Sequence, residues 1–101
     1  MDERRDDDRS VLSLYGELDL ATIGDVRAKL DALQAERRAV VLDLDGLTFM
    51  DSTGIRLILQ AAQDAERTGW DFSITRGSRA VQRVFEAAGL EERLPFAKAH
   101  P

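Results

Sequence analysis

Two kinds of apolar spacing alternate along this chain, and that alternation limits its fold more than any single residue does. In "VLSLYGELD" (11–19), Leu12, Leu14 and Leu18 fall on one side of an extended chain and Ser13, Tyr15 and Glu17 on the other. That period of two predicts a half-buried strand, loosened by Gly16 and Asp19. In "TIGDVRAKLDALQAERR" (22–38), Ile23, Val26, Leu30 and Leu33 form one helical stripe, with Thr22 and Asp25 expected to cap its first turn. The strand period returns in "AVVLDLDG" (39–46), with Val40, Leu42 and Leu44 inward, Asp43 outward, and Val41 breaking strict alternation.

A second helix is expected to start near Asp51 and to end at Thr68, with Gly69 as its left-handed cap and Ile55, Ile58, Leu59, Ala62 and Ala65 as its buried stripe. "WDFSITR" (70–76) alternates Phe72 and Ile74 against Ser73 and Thr75. A last helix opens at Ser78, buries Val81, Val84, Phe85 and Ala88, and closes at Gly89. The order β-α-β-α-β-α with short connections predicts an α/β fold of parallel strands and right-handed crossovers. Each strand keeps polar residues on one face, whereas a sheet covered on both faces favours continuous apolar strands. The helices should therefore lie mainly on one face of a small, mostly parallel sheet.

The bulk properties narrow the function. At 101 residues the chain suits one domain, and 44% hydrophobic with 33% charged residues is ordinary for a globular protein. A net charge of −5 would repel a nucleic acid at long range. No apolar run approaches a membrane span, and "MDERRDDDRS" (1–10) has no apolar core of a secretory leader. Those ten residues read as a charged, flexible tail, 11–96 as a single domain, and 97–101 as a second tail; a cytoplasmic location fits. With no cysteine, and His100 as the single histidine in the tail, thiolate and common zinc sites are not available within the chain. Neither a P-loop nor G-x-G-x-x-G is present, so no catalytic residue, metal or cofactor is singled out.

The junction "MDSTGI" (50–55) is the exception. Asp51 or Ser52 can cap the second helix, since both side chains accept first-turn amides. The same hydroxyls would also stand at the carboxyl end of a parallel sheet, where partners of α/β proteins dock. A phosphoryl group there would meet a helix's positive end and add about −1.5 to −2 charges beside Asp51. Gly54 either leaves room for a second molecule or relieves a tight turn.

With "YGELDLAT" (15–22), "VVLDLDGLTFMDSTGIRLI" (40–58) and "VQRVFEAAGLEERLPF" (81–96), the chain resembles the STAS domain, above all the free-standing bacterial anti-sigma-factor antagonists. The resemblance implies phosphorylation of Ser52 by an anti-sigma factor that is also a serine kinase. Unphosphorylated antagonist binds that kinase and frees the sigma factor; a serine phosphatase reverses the modification. It further implies that Asp51 positions the serine, that Thr53 and Gly54 shape the loop, and that Asp19 belongs to the adjoining docking surface. ATP and magnesium would belong to the kinase, and the antagonist would catalyse nothing. The alternatives are an unphosphorylated STAS subunit docking on the ATPase of a membrane transporter, and a scaffold unit of a stress-signalling assembly. Two departures from the family pattern are expected to matter. The segment before Val11 is too polar for the family's usual first strand, and no terminal helix follows Phe96. Either would open a sheet edge or core patch and favour weak self-association.

Overall fold

The computed structural model describes residues 1–97, and its elements follow the two periods. In chain order they are β1 (Asp2–Arg5), β2 (Arg9–Leu18), α1 (Ile23–Ala35), β3 (Ala39–Met50), α2 (Ser52–Thr68), β4 (Phe72–Ile74) and α3 (Arg79–Ala87). The strands lie side by side in the order β1-β2-β3-β4. β2 pairs in parallel with β3, and β3 with β4, so that Leu12, Leu42 and Ile74 share one row. Among the described residues no helix is long and apolar enough to cross a membrane.

The alternation puts Leu12, Leu14, Val40, Leu42, Leu44, Phe72 and Ile74 on one sheet face. There they meet Val26, Leu30 and Leu33 of α1, Leu57, Ile58 and Ala61 of α2, and Val81 and Phe85 of α3 in one core. All three helices therefore cover the same face. The other face carries Ser13, Asp43 and Thr75, with Asp43 accepting from Ser13 Oγ (3.1 Å) and lying 3.4 Å from Thr75 Oγ1, which also reaches Asp45 (2.9 Å). Val41, the residue that breaks the alternation, sits on that face between Val11 and Ser73.

Helix ends follow their capping residues. Asp51 caps α2, Gly69 closes it at φ 78°, and Ser78 accepts from Val81 N at the start of α3. Three details differ from expectation. The stripe of α2 is rotated: Gly54, Leu57, Ile58 and Ala61 are buried, while Ile55, Leu59 and Ala65 are only partly covered at its margin. Ala88 is exposed, because α3 ends at Ala87. Thr22 gives α1 no side-chain cap; its hydroxyl turns back to Glu17 O (3.0 Å).

The largest correction concerns residues 1 to 10, expected as a flexible tail. They form β1 and a tight turn, with Asp2 to Arg5 antiparallel to Ser13 to Ser10. β1 contains no apolar side chain, so charge pairing takes the place of apolar burial. Glu3 pairs with Lys29 Nζ on α1 (2.6 Å) and with Arg5 Nε (2.9 Å), and accepts from the buried Ser10 hydroxyl (2.9 Å). Arg38 Nε donates to the same Ser10 oxygen (2.9 Å), and Arg5 also reaches Glu36 (3.3 Å). Charged residues suit an edge strand, which needs no second apolar neighbour. The edge of β2 over Ser10–Ser13 is thereby covered, which removes one of the two grounds for expecting self-association. At the opposite edge Pro95–Ala97 bond to Ile74 (3.0 and 2.7 Å), and Phe96 packs against Phe85 with ring centroids 6.0 Å apart. His100 and the rest of the expected second tail, 98–101, lie outside the described residues.

Candidate functional site at the carboxyl end of the sheet

β2 and β3 end in register, Leu18 beside Met50, so their following loops leave the same end of the sheet. The Asp51 amide donates to Leu18 O (3.2 Å) and ties the two loops together. Asp51 then adopts an extended conformation and turns its carboxylate back over the first turn of α2. It accepts from Thr53 N (2.9 Å) and Gly54 N (3.2 Å), and the Thr53 hydroxyl donates to the same oxygen. The Thr53 hydroxyl, helped by the amides of Gly54, Thr53 and Leu20 and opposed by partial desolvation, holds the Asp51 carboxyl below the usual carboxylate range. Asp51 is an ionised N-cap whose Oδ1 takes all three of these bonds.

The two hydroxyls of the D-S-T-G motif thus part company. Thr53 is half-buried and engaged with Asp51. Ser52, the first residue of α2, is exposed and takes no part in the capping, which runs through Thr53 and Gly54. Capping and presentation, left open by the spacing, are here the work of neighbouring residues.

Gly54 has neither role expected of it. It is buried, and a Cβ there would stand 2.6 Å from Met50 Cγ and 3.0 Å from two Leu18 carbons. The missing side chain lets the first turn of α2 settle onto the ends of β2 and β3, leaving no gap for a second molecule.

Asp19 lies in the neighbouring loop, as the paired motifs require, with its carboxylate directed at its own turn. Oδ1 accepts from Ala21 N (3.0 Å), Thr22 N (3.2 Å) and Thr22 Oγ1 (3.2 Å), while Asp19 O accepts from Ile23 N (2.9 Å). Asp19 shapes this loop, and what the loop displays is Leu20. That side chain is 77% exposed, more than any other large hydrophobic residue described. Reading by period assigns Leu20 no role; its only signal is a large apolar side chain in the turn between Asp19 and Thr22. Phe49 and Tyr15, about half exposed, lie nearby on the bare sheet face.

The arrangement offers an accessible alcohol at a helix N-terminus beside a fixed negative charge, with an apolar side chain on the adjoining loop. The family model for "Mlab, STAS domain" matches residues 1–96. An anti-sigma F factor antagonist from Lysinibacillus sphaericus is 33% identical over 82 residues, covering 79% of this chain and 70% of that protein. The solved structure of the anti-sigma factor antagonist SpoIIAA in its unphosphorylated form superposes with a TM-score of 0.76 at 25% identity, covering 96% of this chain and 87% of the other. The Bacillus cell fate determinant SpoIIAA in the phosphorylated form gives 0.71 at 24%, over 96% and 90% of the two chains. Sheet order, one-sided helices and the match across residues 1–96 agree: this chain belongs to the STAS domain family.

Proposed function

We propose that this protein is an anti-sigma-factor antagonist that binds an anti-sigma factor with serine kinase activity, frees the sigma factor, and is switched off by phosphorylation at Ser52. One observation carries the reading: of the two hydroxyls in the D-S-T-G motif, only that of Ser52 is exposed and outside the capping set. The similarity to antagonists, one of them solved in both unphosphorylated and phosphorylated forms, supports it.

The switch is electrostatic. Phosphorylation adds about −1.5 to −2 charges. They appear beside an ionised Asp51 whose carboxylate is held by three donors of the first turn of α2. Positive partner groups suited to a neutral serine and one carboxylate then face a denser charge and a bulkier group. Asp51, Thr53 and Gly54 serve as the frame that holds Ser52 outward, and Asp19 holds the adjoining loop. Catalysis and ATP belong to the kinase. A serine phosphatase resets the switch.

The test is phosphorylation of the purified chain by each purified anti-sigma-factor kinase of its organism, with the site mapped by mass spectrometry. One phosphate on Ser52, lost in Ser52→Ala and kept in Thr53→Val, is the expected result. Binding should survive Ser52→Ala and fall at least tenfold in Ser52→Glu. Phosphate on Thr53, or no phosphorylation by any kinase together with no binding, would overturn the reading.

A further inference from the structure

The geometry points to Leu20 as the apolar anchor by which this surface grips its partner: an apolar socket rimmed by basic side chains on the anti-sigma-factor kinase. This rests on the reading just given and extends it from the switch to the source of affinity.

Single exposed apolar residues are common on protein surfaces and usually carry no meaning. Leu20 is set apart by how firmly its loop is held. Asp19 Oδ1 takes the Ala21 and Thr22 amides, Thr22 Oγ1 bridges Glu17 O (3.0 Å) and the Asp19 amide (3.0 Å), and Ile23 N closes on Asp19 O (2.9 Å). The Asp51 amide donates to Leu18 O (3.2 Å), which fixes the start of this loop against the D-S-T-G junction. A leucine 77% exposed on a loop with this many internal bonds has been ordered at folding. Binding through it therefore loses little further backbone entropy, which raises affinity without any added contact.

Position and charge specify the partner. Leu18 pairs with Met50 and accepts from the Asp51 amide (3.2 Å), so the loop that displays Leu20 leaves the sheet beside the one that displays Ser52. Between Glu17 and Asp25 the chain has three acidic residues and no basic one, and Asp51 adds a fourth carboxylate beside them. An apolar side chain among carboxylates fits a hydrophobic socket bordered by lysine or arginine. The carboxylates would steer the encounter, and Leu20 would slow dissociation.

The experiment compares wild type, Leu20→Ser, Leu20→Met and Ser52→Glu for binding to the kinase that phosphorylates the wild-type chain, by surface plasmon resonance at two salt concentrations. Leu20→Ser should weaken Kd by about tenfold to a hundredfold, mainly through faster dissociation, as expected for uncovering one leucine. It should raise KM for phosphorylation of Ser52 and leave kcat unchanged. Leu20→Met should stay close to wild type. Thermal midpoints should match throughout, because Leu20 touches no core.

Leu20→Ser binding within twofold of wild type, with Ser52→Glu weakened, would overturn the anchor and leave the switch standing. Wild type failing to bind any such kinase would overturn both. A Leu20→Ser loss that tracks a lowered thermal midpoint, with Leu20→Met equally weak, would make Leu20 a structural residue and refute the proposal.

Discussion

Replacing Gly54 with alanine sets two opposing effects against each other. Alanine is the better helix former, by up to about 1 kcal/mol, and less in a first turn where few intrahelical bonds are made. Against this, the new Cβ would lie 2.6 Å from Met50 Cγ and 3.0 Å from both Leu18 Cγ and Cδ2. Met50 and Leu18 are 3% and 1% exposed, so neither can move toward solvent. Overpacking a filled core costs about 1–3 kcal/mol. The clash should win, leaving Gly54→Ala less stable by about 1–2 kcal/mol. Urea unfolding followed by circular dichroism would show a lower midpoint at unchanged slope. Trimming Met50 to alanine removes the clashing Cγ and should relieve part of the clash, so the double mutant should show coupling of at least about 0.5 kcal/mol. Gly54→Ala as stable as wild type, or additivity with the Met50 change, would refute the claim that α2 is seated on this glycine.

Arg37 holds a left-handed conformation (φ 57°) just past α1, where glycine is the usual occupant. Arg37→Gly should raise stability by about 0.5–1 kcal/mol in the same urea assay, relief of strain exceeding the added freedom of the unfolded chain. Lys29 first, then Arg5 and Ser10, hold the Glu3 carboxyl down at about 2 against an ordinary 4.5, with desolvation opposing. A depressed carboxylate contributes stability above its unfolded pKa and loses it as pH falls toward the folded one. β1 should therefore stay docked above pH 4.5 and detach between 4.5 and about 2. NMR shifts of Glu3 to Arg5 should follow that titration at wild type, and Glu3→Gln should free β1 already at neutral pH.

What was legible in the sequence was what depends on neighbours in the chain. Leu12, Leu14, Val40 and Leu42 announce strands through a period of two. Asp51, Gly69, Ser78 and Gly89 mark helix ends because capping is a contact between residues a few positions apart. Serine beside aspartate at a strand-to-helix junction marked the site for the same reason, and the resemblance to antagonists directed attention to Ser52.

β1 was illegible because its partners are distant: Glu3 is read as a strand residue only once Lys29 and Ser10 are known to surround it. The rotation of α2 was equally hidden. Local amphipathicity favours Ile55 and Leu59, but seating Gly54 on Leu18 and Met50 turns Leu57 and Ala61 inward. Composition, periodicity and capping are short-range properties and settle the order of elements, the one-sided sheet and the place of the D-S-T-G junction. Which hydroxyl of that junction faces outward, which glycine is a packing residue, and that the loop carrying Leu20 adjoins the one carrying Ser52 were decided by the parallel register of β2 and β3. That register brings together residues more than thirty positions apart, and no local pattern encodes it.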